Sequence, residues 1–200
     1  MTQDRIEMLP MEESLRVAKE LGLHEPIARL NIFRTLFHRP RMARAISDLL
    51  LSLLFDSKIG HRRRELIIMR IGWVTGSEYE WTQHWPLAQG MFGCTAEELL
   101  AVRDWHGAQC FDAVDRAVLT ATDELLDVGD LSDETWRACF EGLGREAAIE
   151  MVAAIATWLL VSKLARGLRV PLEDGVAGWP PDGKVPPTPS GTRNKAATAA

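Results

Sequence analysis

Two acids and a histidine stand at helical spacing between Glu65 and His84, beside tryptophans and on a stretch otherwise suited to burial. Glu80 and His84 are four residues apart, so on a helix they share a face and can touch. A carboxylate touching an imidazole can move protons near neutral pH, because the imidazole itself titrates there. Ser77, Tyr79, Trp81 and Trp85 are candidates for the wall of a small pocket that excludes water. Their aromatic character favours a rather apolar or ring-shaped small molecule. Structural uses compete with this chemistry. Ser77-x-x-Glu80 fits a capping box, which would tie Glu80 to a backbone N–H. A lone histidine such as His84 is also commonly a satisfied core or interface residue. Pro86 frees the carbonyl of Thr82, so a kink or loosened turn is expected just after His84.

The elements that must position these groups read as helices throughout. Apolar residues recur with helical period in Met11–Leu21, Pro26–Phe37, Met42–Phe55, His61–Trp73, Ser77–Gln89, Asp112–Asp127 and Arg145–Leu168. Thr95-Ala-Glu-Glu98 is a capping box opening a short helix to about Trp105, and Ser132 caps another to about Gly142. No stretch alternates with period two between hairpin turns, so the fold class is all-α, a helical bundle. Residues 1–177 form one domain. From Gly178 the prolines and glycines cannot continue a helix, and 178–200 reads as an extended or disordered tail. A faint internal echo pairs Arg64-Glu65 with Arg145-Glu146, each after a glycine-containing turn.

Bulk properties exclude several classes. A formal net charge of -5 argues against a nucleic-acid partner. Cys94, Cys110 and Cys139 are far apart and form no metal-ligand or CxxC pattern, so free buried thiols in a reducing cytoplasm are expected, with no metal. The N-terminus lacks a basic region followed by an apolar core, so no signal peptide is expected. The apolar run Met151–Val161 falls short of the roughly 20 residues of a membrane span and reads as a buried helix. Arg34, Arg39, Arg41, Arg44 and the His61–Arg64 cluster could supply an anion site, though such runs are more often solvated faces or ion pairs between subunits.

The stretch Arg64-Glu65-Leu66-Ile67-Ile68, Gly76 to Ala88 and Thr95-Ala-Glu-Glu-Leu99 resembles the carboxymuconolactone decarboxylase family, which shares an all-helical fold with the alkylhydroperoxidase D-like proteins. The resemblance runs from about Phe33 to Leu172 and is specific between Glu65 and Leu99. It implies that Glu65 and His84 match the glutamate and histidine of the peroxidase branch, while that branch's two cysteines fall on Ser77 and Glu80. Disulfide-based peroxide reduction needs an attacking and a resolving thiol, which serine and glutamate cannot supply. The decarboxylase branch also has a glutamate four residues before the histidine, matched here by Glu80 and His84. The implied activity is a lyase or isomerase acting without cofactor on a small carboxylated lactone or related carbonyl compound. His84 would carry the proton, and Glu80 or Glu65 would support it. The alternative is a non-catalytic helical assembly in which these groups are buried interface contacts. Family resemblance further implies a homo-oligomer, a trimer or hexamer.

Overall fold

Helix α5 (His61–Thr75) carries Leu66, Ile67, Ile68, Met69 and Ile71 in near succession, and its buried residues face several directions. Such a helix must lie in the interior. The computed structural model, which describes residues 5–187, packs α5 against α6 (Glu78–Gly90), α8 (Ala113–Asp127) and α10 (Arg145–Leu168). The remaining helices are α1 (Met11–Glu20), α2 (Glu25–Arg29), α3 (Asn31–Leu36), α4 (Pro40–Phe55), α7 (Ala96–Ala101) and α9 (Asp133–Leu143), with a 3-10 turn at Val102–Gly107. No strand occurs among the described residues, and the fold is all-α.

The join between α5 and α6 sets the site. Gly76 ends α5 with a positive φ of 67°, which costs glycine little. The Gly76 N–H bonds the Trp73 carbonyl at 3.1 Å and the Ser77 N–H bonds the Gly72 carbonyl at 2.8 Å. These two bonds make a Schellman motif that satisfies the last carbonyls of α5 and turns the chain back. Gly72 then permits close contact, since a Cβ there would lie 3.3 Å from the Trp81 backbone nitrogen. Helix α6 therefore lies directly along α5, with Glu80 and His84 facing it.

Caps read from sequence are present at α7, where Thr95 and Glu98 form the reciprocal box, and at α9, where Ser132 accepts from the Thr135 N–H. Ser77 occupies the N-cap position of α6, but no side chain caps that helix. The capping box expected for Ser77 and Glu80 is therefore absent, which releases Glu80 from that structural role. Nor does α6 break after His84; it continues through Pro86 to Gly90. Helix α10 is an unbroken 24 residues, so the echo of α5 stops where α5 ends at Gly76. By length and composition α10 could cross a membrane, unlike its shorter apolar core read alone. Here it is packed on α4, α5, α6, α8 and α9.

The C-terminal segment corrects the expectation of a disordered tail beginning at residue 178. Trp179 is only 7% exposed and sits against Trp73 and Trp81. Its N–H donates to Thr82 Oγ1 at 3.1 Å, and the Trp81 indole N–H donates to the Pro180 carbonyl at 2.7 Å. Asp182 receives two bonds from Arg103, at 2.8 and 2.9 Å. Composition favoured disorder, but burying one tryptophan offsets the ordering of a chain that proline already restricts. Residues up to 187 thus form a strap over α6, and the rest of the expected tail lies outside the described residues. Trp179→Ala is expected to cost about 3 kcal/mol of stability. Equilibrium denaturation checks this, and a loss below about 0.5 kcal/mol, the scale of an ordinary surface change, would show the strap to be peripheral.

Candidate active site

A chain of buried polar groups runs from α4 through α5 and α6 to α10. Arg64 is fully buried. Its Nε and Nη2 donate to Glu65 Oε1 at 3.1 and 2.8 Å. Its Nη1 donates to the Leu54 carbonyl at 2.8 Å, to that of Leu53 at 3.3 Å and to His61 Nδ1 at 2.8 Å. The guanidinium also lies 4.3 Å from the Phe92 ring centre. The second oxygen of Glu65 meets His84 Nδ1 at 2.8 Å. On the far side of the imidazole, the Trp158 indole N–H donates to Nε2 at 3.3 Å.

The tautomer follows from these partners. An indole N–H only donates, so Nε2 must accept, and Nδ1 carries the proton given to Glu65. Burial alone would drive the Glu65 carboxyl up, but His84 and Arg64 outweigh it and hold the group below its ordinary range. Burial lowers the affinity of His84 for a second proton, while Glu65 more than compensates and raises it. A proton can enter Nε2 only if the Trp158 N–H gives way.

Glu80 differs from both. Burial, reinforced by the Glu65 charge and opposed by His84, pushes its carboxyl up to about 7. Its Oε2 is buried without a hydrogen-bond partner, as is the hydroxyl of Ser77. The site thus contains one fully bonded acid, one fully bonded imidazole and one buried acid with an open valence. Beside Ser77, between the α6 N-terminus and the C-terminal end of α10, lies a cleft of about 320 Å³. Ser77 lines it, while Glu80 lies one turn further along α6 and is not on its lining.

Residues 40–124 match the sequence profile of the carboxymuconolactone decarboxylase family. The likeness is to that stretch, which spans α4 to most of α8. No curated protein matches it in sequence. Among solved structures it is similar to an alkylhydroperoxidase AhpD core, an uncharacterized peroxidase-related protein from Ralstonia eutropha JMP134, with a TM-score of 0.69 at 18% identity over 87% of this chain and 94% of that one. A peroxidase-related protein from Silicibacter sp. TM1040 gives a TM-score of 0.68 at 12% identity, covering 88% and 95%. The debrominase Bmp8 gives 0.64 at 19% identity, covering 82% and 86%. At these identities the likenesses establish an AhpD-like fold.

Against that fold, the residues expected from sequence divide among three faces of α6. Glu65, Glu80 and His84 come together, but the bonded pair is Glu65–His84 rather than Glu80–His84. The close approach of α5 presents Glu65 directly to the imidazole. Tyr79 lines the cleft beside Ser77 and turns away from His84: its hydroxyl donates to Glu173 Oε1 at 2.7 Å and accepts from the Ile32 N–H at 3.3 Å. Trp81 and Trp85 stack on a third side, with ring centres 5.9 Å apart, in the cluster holding Trp73 and Trp179. These aromatics therefore build the core around α6 rather than a wall beside His84. Sequence reading missed two partners. Arg64 had been grouped with its charged neighbours, and Trp158 lay hidden in an apolar helix.

Among the described residues no cluster of three or more histidine, cysteine or acidic side chains could hold a metal ion. Burial pushes the Cys94 thiol up to about 12 and that of Cys139 up to about 11, far from the range of a reactive thiolate.

The shift at Glu80 has a consequence for stability. The fold raises this carboxyl from an ordinary 4.5 to about 7, so its contribution is full below the unfolded value and is lost as pH rises through about 7. Glu80→Gln, neutral at every pH, should melt close to the wild type at about pH 4 and above it at about pH 8. A constant difference in melting temperature across that range would show that Glu80 does not titrate as described.

Proposed function

We propose that this chain is a lyase or isomerase that moves a proton on a small carboxylated lactone or related carbonyl compound, without a cofactor. The observation that carries this reading is Glu80: a buried carboxyl poised near 7, with one oxygen unbonded, beside the Glu65–His84 pair. An acid with a pKa near the working pH can both give and take a proton. In a decarboxylation the carbon–carboxylate bond breaks, CO2 leaves, and the electron pair passes into the conjugated carbonyl as an enolate. Glu80 then protonates carbon and is left as a carboxylate, which takes a proton back from water for the next turnover. In an isomerisation Glu80 would instead remove the proton next to the carbonyl and return it further along the conjugated system. His84 holds Glu65 and is not itself the proton donor, because both of its ring nitrogens are already engaged. Thiol peroxidase chemistry is disfavoured by the raised cysteine pKa values and by Ser77 and Glu80 at the cysteine positions.

The two reactions differ in pH dependence. A decarboxylase needs Glu80 protonated, so turnover is expected to fall as pH rises through about 7; the isomerase needs it ionised and shows the opposite limb. Incubating unsaturated lactone acids in D2O and following CO2 release or deuterium entry by NMR checks both. Glu80→Gln should remove turnover by a factor of at least about 100. Full activity in that variant would sink the proposal.

A non-catalytic assembly is the second reading, favoured by the two structural bonds that occupy His84. It predicts that His84→Gln changes melting temperature or assembly mass alone. With either reading we propose a homo-oligomer, a trimer or hexamer. The supporting feature is an apolar stripe on α10, where Ile149 is 63% and Leu160 43% exposed. Ile149→Lys is expected to lower the mass seen by sedimentation; an unchanged mass would place any interface elsewhere.

A further inference from the structure

The cleft at the start of α6 has features that the proton-transfer chemistry does not use. Helix α6 is 13 residues long and no side chain caps it, so the N–H groups of its first turn remain free for a ligand. The Ser77 hydroxyl stands at that end, fully buried and without a partner, on a residue that lines the cleft. Arg166 and Arg169, from the end of α10, line the same cleft. Arg166 donates to the Thr75 carbonyl, and neither arginine forms an ion pair among the described residues. Val170 and Leu172 supply an apolar wall. Glu78, the one acid on the lining, packs against Gly178: a Cβ added there would fall 1.9 Å from its Oε1.

We propose that this cleft binds the carboxylate of a small organic acid, held by Ser77, Arg169 and the α6 N-terminus with its carbon skeleton against Val170 and Leu172. This deepens the proton-transfer reading and rests on it for the role of Glu80. The chemistry distinguishes this carboxylate from a leaving one. Groups that stabilise a carboxylate in the ground state oppose loss of CO2 from it, because that charge moves away in the transition state. The anchored carboxylate is thus retained. Glu80 is three residues on from Ser77, about 4.5 Å along the helix axis at 1.5 Å per residue, so the proposal puts the reacting carbon between the anchored carboxylate and Glu80. Ser77 therefore orients substrate, and Arg169 selects for negative charge.

Benzoate and its uncharged counterpart benzamide test the proposal in the full-length protein. Isothermal titration is expected to show benzoate binding at least about tenfold more tightly than benzamide. Benzoate should also shift the backbone amide resonances of residues 76–80. Arg169→Gln, at an exposed position, should weaken benzoate about tenfold and leave benzamide unchanged, with Arg169→Lys recovering part of the loss. Ser77→Ala should weaken it less. Equal affinity for the two probes, no benzoate binding at millimolar concentration, or indifference to Arg169→Gln each overturns the subsite. Glu80→Gln separates the two claims. If it is inactive while benzoate ignores Arg169, the subsite fails and the proton-transfer reading stands. If it remains active while benzoate binds as described, the reading fails and the carboxylate subsite stands.

Discussion

The buried ion pair of Arg64 and Glu65 is the constraint around which the molecule is arranged. Two charges removed from water are stable only if nearly every donor and acceptor is answered. Arg64 meets that demand with the last carbonyls of α4, the imidazole of His61, the face of Phe92 and Glu65 itself. The carbonyl end of α4 is the negative end of its dipole, so a cation belongs there. One residue thus fixes the position of α4 relative to α5 and leaves the second Glu65 oxygen aimed at α6. His84 inherits its tautomer from that oxygen.

Glu80 is then isolated by default. Arg64 and His84 satisfy Glu65, and nothing similar reaches Glu80, which titrates near 7 because burial is unopposed by hydrogen bonds. The same fold holds two acids within mutual influence and shifts them in opposite directions, Glu65 down and Glu80 up. That difference arises because His84 and Arg64 both bond Glu65 and neither bonds Glu80.

Helical periodicity gave the all-α class and the helix positions, and short cap motifs gave the starts of α7 and α9. Glu80 and His84 were also recognisable from their four-residue spacing, and Glu65 from the family resemblance. The pairing was not. Periodicity tells which residues share a face of α6, but α6 is buried on nearly every side, so no solvent-facing stripe identifies the side turned to α5. Gly72 was the local signal for that close approach. Tyr79 and the tryptophans were assigned to the pocket for their chemistry, whereas their directions depend on Glu173 and Trp179, some ninety residues away in sequence. The strap was hidden for a related reason. Proline and glycine content describes a segment's average, and a single buried tryptophan overrides it.

That tryptophan also governs how the protein can be watched. The chain has 7 tryptophans, and Trp73, Trp81, Trp85 and Trp179 lie in one mutual contact group, with ring centres about 5.4 to 6.1 Å apart. Indoles this close couple electronically, so near-ultraviolet ellipticity and intrinsic emission report chiefly on whether residues 176–187 are seated. Trp158, alone against His84, supplies a separate and weaker signal from the acid–imidazole pair. Two faces of α6 are therefore optically distinguishable in a protein with no added label.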